Sequence, residues 1–307
     1  MSATIAPELV LLGNLLVDDL VFPDGHTRMG QAGGAILYAS LAAALWGVRV
    51  GCVSLQGTDY PVAMLDALAR RGIALDGVTP LGRPGVRTWL LYEGRVRRVV
   101  HRLGGPTHAD VSPEPAQVPA AWRSARAFHL APMPLAVQRR QVEALGAHGA
   151  FVSVDPHELV TEATLPAWHD VLAGVDAFFP SEDELRLDGV STDPHAALRR
   201  LAGGRLRYVA FKRGLRGGLL YDARADRVSE WAARTDGIVD PTGAGDAFAA
   251  GFLAAILAGR DAEEAVHRGV VGASFALAAW GPAALLEATR ADAEARLRAW
   301  FGAGAPA

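Results

Sequence analysis

The sequence predicts an α/β fold with three layers, α/β/α, a mostly parallel central sheet, and a small β-sheet standing apart from it. Three observations carry that expectation. From Ala127 onward, short apolar runs alternate with segments of helical length, the pattern of parallel strands covered by helices on both faces. Arg87 to Tyr92 and Val96 to Arg102 flank Glu93-Gly94 and read as a hairpin with a polar face, which does not fit that scheme and is a candidate lid. Late in the chain, Asp240-Pro241-Thr242-Gly243-Ala244-Gly245-Asp246 runs straight into an alanine-rich helix.

Taken in order, Glu8 to Leu16 reads as one buried strand, Ala35 to Trp46 as a helix, Val48 to Ser54 as a strand and Pro61 to Arg71 as a helix. After the hairpin come strand Ala127 to Leu130, helix Leu135 to Ala147, strand Phe151 to Asp155, helix Leu165 to Leu172 and strand Ala177 to Phe179. A helix is expected to start at Ser181, followed by helix Pro194 to Leu201 and strands Tyr208 to Lys212, Gly218 to Tyr221 and Val228 to Trp231. The last third is helical: Asp246 to Leu257, Ala262 to Ala279 and Arg290 to Phe301, with a Gly/Ala/Pro tail from Gly302. The apolar run Val270 to Leu286 is broken by Ser274, Gly281 and Pro282, so it reads as a buried helix and a turn, not a membrane span. The expected organisation is one domain over residues 1–307, with lid segments near 15–32 and 84–106.

Composition narrows the function classes. A chain of 307 residues that is 50% hydrophobic can bury a large core, and a net charge of −3 gives no reason to expect nucleic acid or an anionic membrane as partner. The single cysteine, Cys52, excludes an intrachain disulfide and any Cys-cluster metal site, and points to the cytoplasm. No basic stretch followed by an apolar run opens the sequence, so no secretory signal is expected. Lys212 is the only lysine, and Phe211 precedes it, so there is no Walker A sequence; G-x-G-x-x-G, H-E-x-x-H and G-x-S-x-G are absent too.

The turn at 240–246 has two readings. Glycines let a backbone approach a bulky anion, and a helix start offers unpaired N–H groups with partial positive charge. A carboxylate beside such a site is costly unless Asp246 takes a proton from an attacking hydroxyl while the N–H groups of the helix start hold a phosphoryl group. The other reading is an Asp capping a buried helix. Lys212 to Gly218, a basic glycine-rich turn between two strands, offers Lys212, Gly214, Arg216 and Gly217 to a nucleotide, or is an ordinary turn with solvated charges. Asn14, Asp18, Asp19, Gly33 and Gly34 are candidates to surround a hydroxylated ligand; the alternative is a tight turn plus two surface aspartates. Ser181 to Glu184 is a capping box, or Glu184 helps hold hydrated magnesium. His129 and His157 read as structural histidines.

In this order the pieces resemble the pfkB/ribokinase family of carbohydrate and nucleoside kinases, over nearly the whole chain. Gly13 with Asp18 resembles its N-terminal G-x-x-x-x-D segment, Gly33-Gly34 its di-glycine motif, and Asp240 to Asp246 its D-T/P-x-G-A-G-D motif. The resemblance implies a ribokinase-like fold and ATP-dependent phosphorylation of a sugar, polyol, inositol or nucleoside. It implies Asp246 as catalytic base, an anion hole at Gly243 to Gly245, and nucleotide contacts from Lys212 to Gly217 and Gly245. It also implies magnesium at Glu184 through water, with potassium a common activator and Asp240, Thr242 and Gly281 at comparable cation positions. A homodimer through the lid is a further implication.

Three departures stand out: Ser181 replaces the usual Asn of N-x-x-E, His157 follows Asp155-Pro156 where an arginine is common, and Tyr38 replaces a sugar-binding Asn, so ribose is not assumed. Trp89 and Tyr92 on the hairpin are candidates to stack on a substrate ring. Two rivals stay open: a non-catalytic ligand sensor or scaffold of the same fold, and a nicotinamide-dependent oxidoreductase, which the missing dinucleotide fingerprint disfavours.

Overall fold

The protein is described here by a computed structural model covering residues 6–93, 96–146 and 149–302. The hairpin turn at Gly94, the helix end at Ala147 and the tail beyond Gly302 lie outside the described residues. The strands are β1 (Leu9–Leu12), β2 (Leu16–Val21), β3 (Thr27–Gly33), β4 (Val50–Gln56), β5 (Ala74–Pro80), β6 (Arg87–Glu93), β7 (Val96–His101), β8 (Ala127–Leu130), β9 (Phe151–Val154), β10 (Val160–Thr161), β11 (Ala177–Phe178), β12 (Leu185–Arg186), β13 (Tyr208–Lys212), β14 (Gly218–Asp222) and β15 (Arg227–Trp231). The helices are α1 (Ala35–Leu45), α2 (Val62–Arg70), α3 (His108–Val111), α4 (Leu135–Leu145), α5 (Leu165–Leu172), α6 (Pro194–Arg199), α7 (Ala244–Leu257), α8 (Ala262–Leu277), α9 (Ala283–Glu287) and α10 (Arg290–Phe301).

Nine strands form the main sheet in the order β15-β14-β13-β11-β9-β8-β1-β4-β5. From β13 to β5 every pairing is parallel, and β14 and β15 add an antiparallel edge. Burial on both faces explains the unbroken apolar strands. In β1, Leu9 and Leu11 pack into the core beneath α1, α7 and α8, while Val10 and Leu12 pack into the core beneath α4 and α5. The four-stranded sheet β3-β2-β6-β7 stands apart, as the hairpin at 87–101 predicts.

Helix α7 is alanine-rich because it is enclosed. A Cβ on Gly251 of α7 would collide with the Arg268 carbonyl of α8 at 2.5 Å, and one on Gly272 with the Ala247 carbonyl at 2.8 Å, so small residues bring the two helices together. That packing fixes the start of α7, where the glycine turn enters.

Three expectations need correction. Glu8 to Leu16 is not one strand: the chain leaves the main sheet at Gly13, Leu15 donates its N–H to Ser54 Oγ at 3.2 Å, and Leu16 begins the small sheet. No helix starts at Ser181. Its backbone bridges to Lys212 and Glu182 N–H donates to the Lys212 carbonyl at 2.9 Å, so the segment extends the sheet edge before Leu185 enters β12. The edge strand β5 went unread because its sequence, ALDGVTP, carries the Asp, Gly and Pro of a turn. Among the described residues no helix is long and apolar enough to cross a membrane.

Candidate active site

The parallel strands deliver their carboxyl ends to one edge of the sheet, where ligands of open α/β folds bind. Asn14 follows β1, Asp155 follows β9, Ser181 follows β11 and Lys212 ends β13. The start of α7 faces the same edge, since a Cβ on Gly245 would lie 3.1 Å from Lys212 Nζ.

Gly243, not Asp246, is the N-cap of α7, with φ 77° and ψ −1°. A non-glycine residue resists that left-handed conformation. Asp246 lies in the first helical turn, half-buried, where an acidic side chain also suits the positive end of the helix, so the reading as an Asp near the N-cap and the catalytic reading both stand. The ring of Tyr38 fills the space a Gly243 side chain would need. Tyr38 is 3% exposed; burial, then the charges of Asp240, Asp18 and Asp246, push its hydroxyl well above the usual tyrosine range and keep it neutral. Tyr38 is thus a floor beneath the glycine turn.

Lys212 Nζ pairs with Asp155 Oδ2 at 2.7 Å, both side chains nearly enclosed. Burial opposes the lysine charge, but Asp155, Glu184 and Asp246 outweigh it and hold the ammonium protonated. Burial pushes the Asp155 carboxyl up to about 8 even beside Lys212. Glu184 accepts the Ser181 N–H at 2.7 Å, half of a capping box without its helix. Among the described residues no three His, Cys, Asp or Glu side chains converge to hold a metal ion.

Beyond Lys212, residues Gly214–Arg216 form a single 3-10 turn closed by Gly217. Arg216 pairs with Glu182, and Leu215 stands 71% exposed, so this turn presents backbone and one paired arginine to the edge of the site.

On the other side of Asp246, Asp18 and Asp19 point opposite ways, as neighbours in a strand must. Asp19 is held by Arg87 at 2.5 and 2.8 Å and by the Gly30 N–H at 2.7 Å. Asp18 faces inward against Gly33, whose missing side chain makes the room, and a Cβ on Gly34 (φ 107°) would collide with the Asn14 backbone. Asp18, Gln31, Tyr38, Met64 and Trp280 border a small cleft of about 70 Å³. Asn14 Nδ2 reaches His108 Nδ1 at 3.4 Å.

Trp89 and Tyr92 cannot stack on one ring. They alternate to opposite faces of β6: Trp89 is 43% exposed and pairs across with Val100, while Tyr92 turns toward the body. The Tyr92 hydroxyl donates to Asp240 Oδ1 at 2.8 Å. The same oxygen accepts from Thr242 N at 3.0 Å and Thr242 Oγ1 at 2.7 Å, and Oδ2 accepts from Gly281 N at 3.1 Å. Asp240 and Thr242, expected to border a monovalent cation, are engaged with protein donors in this arrangement. His129 is fully buried with Nδ1 3.0 Å from Ser153 Oγ, and its Nε2 has no hydrogen-bond partner among the described residues. His157 meets the ring of His108, which meets His101 of β7, a cluster the separate sequence positions gave no sign of.

The sequence matches the pfkB family of carbohydrate kinases over residues 17–289, and the chain belongs to that family. It is 32% identical over 279 residues to a cytidine kinase of Thermococcus kodakarensis, covering 89% of this chain and 97% of that protein. The fold is shared with an E. coli protein assigned as ribokinase II, crystallised with ATP and Mg2+ (TM-score 0.75, 21% identity, 95% of this chain and 99% of that one). It is shared equally with a Burkholderia thailandensis nucleoside kinase in complex with inosine (TM-score 0.73, 19% identity, 96% and 97% covered). The protein is an ATP-dependent phosphotransferase that acts on a hydroxyl of a small sugar or nucleoside.

Proposed function

We propose that the protein transfers the γ-phosphoryl group of ATP to a hydroxyl of a nucleoside, with a pyrimidine nucleoside as the first candidate. The observation that carries this reading is Asp246 in the first turn of α7, between the Lys212–Asp155 pair and the cleft beside Asp18 and Tyr38. A base placed there takes the proton of a hydroxyl entering from the cleft, while the N–H groups around Gly243 to Gly245 meet the charge that gathers on the transferring group. The nucleoside assignment rests on the similarity to the cytidine kinase and on the mixed character of the cleft: Asp18 and Gln31 suit sugar hydroxyls, and Met64 and Trp280 suit a flat ring.

In this reading Glu184 would hold magnesium through water, and the ion would supply charge compensation for the phosphates. Lys212, Gly214, Arg216 and Gly217 border the nucleotide, with Lys212 acting through its charge from within the Asp155 pair. Residues 1–307 form one kinase domain whose lid is built from segments near 15–32 and 84–106. The exposed apolar face of that lid, Met29, Trp89 and Val100, supports pairing of two copies, which light scattering of the purified protein tests. An ATP-dependent activity and a single buried thiol suit the cytoplasm.

The experiment is ATP turnover over a panel of nucleosides, ribose, hexoses and inositols. Nucleoside-dependent ADP release is the expected result; turnover with the sugars alone would move the substrate class, and no turnover with any acceptor would support the non-catalytic sensor.

A further inference from the structure

We propose that Tyr92 is a positioning residue that occupies, with its hydroxyl, the place of a monovalent cation at Asp240, so that turnover depends on seating of the small sheet and not on potassium. The proposal rests on the kinase reading for its activity arm and on the structure alone for its stability arm.

Asp240 is 2% exposed, and its carboxylate closes the turn that carries Gly243 and Asp246. A buried carboxylate at that position needs compensation, either by a cation or by donors. Here both oxygens are served: Thr242 gives its N–H and hydroxyl, Gly281 its N–H, and Tyr92 its hydroxyl. Thr242 and Gly281 belong to the body. Tyr92 belongs to β6 of the small sheet, 148 residues away in sequence.

The Tyr92 ring is held for this contact. It meets Trp280 edge-on at 5.2 Å between centroids and stacks on Phe22 of the small sheet at 5.5 Å. Phe22 meets Trp280 in turn, at 4.6 Å. The two small-sheet rings are therefore seated on Trp280, next to the Gly281 that donates to the same carboxylate. A charge-assisted O–H···O⁻ bond is short and about twice as strong as a neutral one. It joins the sheet over the cleft to the turn that holds the base, so seating of the sheet and alignment of the turn form together. A cation at Oδ1 would have to displace the phenol.

Tyr92→Phe tests this, because it removes the hydroxyl and keeps the ring on Phe22 and Trp280. Turnover and thermal unfolding are measured for both proteins in potassium chloride and in tetramethylammonium chloride at equal ionic strength. The native protein should have the same kcat and Tm in both salts. Tyr92→Phe should lose about tenfold or more in kcat, the rate equivalent of one charged hydrogen bond, with the KM for ATP little changed. Potassium should restore part of that loss and raise the variant's Tm. Potassium activation or stabilisation of the native protein, or a Tyr92→Phe variant equal to the native protein in kcat and Tm, would overturn the proposal. If no acceptor gives turnover, the kinase reading fails and the two Tm comparisons still decide this inference.

Discussion

The ring of Tyr38 takes the volume that a side chain on Gly243 would occupy. Tyr38 and the glycine turn are thus one packing unit, and the glycine is required twice: for its φ of 77° and for the ring beneath it. A left-handed non-glycine residue costs about 1–2 kcal/mol before any clash. Gly243→Ala should destabilise the protein by more than that and reduce kcat, because the N–H groups of the turn move. Tyr38→Ala leaves a cavity of its own, but in that background adding Gly243→Ala should cost only the backbone part, because the clash is gone. Urea unfolding of the single and double variants checks this; equal stability of Gly243→Ala and the native protein would contradict it.

The Lys212–Asp155 pair makes a second prediction. Removing one partner of a buried pair leaves an uncompensated charge, a loss of about 3–5 kcal/mol. Lys212→Met should therefore lose stability on that scale, and Lys212→Met with Asp155→Leu should regain most of it. The double variant should stay poorly active, since the ammonium beside Gly245 is gone. A fully active double variant would show that Lys212 serves the fold alone.

His108 supplies a pH dependence with a definite sign. Burial, then the charges of His157 and His101, push its pKa down from 6.5 to about 4. A depressed histidine favours the neutral ring in the native state, so its contribution is fully present above 6.5 and is lost as pH falls toward 4. Between those values the native protein should lose more Tm than His108→Gln does. Parallel pH profiles of Tm for the two proteins would contradict the assignment.

Much of this was legible locally. The 240–246 turn could be read because its glycines, carboxylate and following helix are adjacent in sequence, and Gly33-Gly34 because Asp18 and Asn14 lie on the neighbouring strand and turn. The strands with both faces buried were read from apolar runs alone, whereas β5, at the sheet edge, carries turn residues and was missed. Ser181 to Glu184 misled because its local hydrogen bond is that of a helix start, while the bridge to Lys212, distant in sequence, decides the backbone path. The Tyr92–Asp240 bond and the His101–His108–His157 cluster were hidden for the same reason: each joins segments whose approach only the tertiary fold creates. The opposite facing of Trp89 and Tyr92 follows from strand alternation and was available from the spacing.

The central claim is that Asp246 is the base for phosphoryl transfer. Its most direct test is Asp246→Asn, assayed for ATP-dependent phosphorylation of the best acceptor, with ATP binding and Tm measured on the same preparation. General-base catalysis is worth about 10²–10⁴ in rate. The account predicts a kcat at least about a hundredfold lower, with ATP affinity and Tm close to native. Native kcat in Asp246→Asn would contradict it.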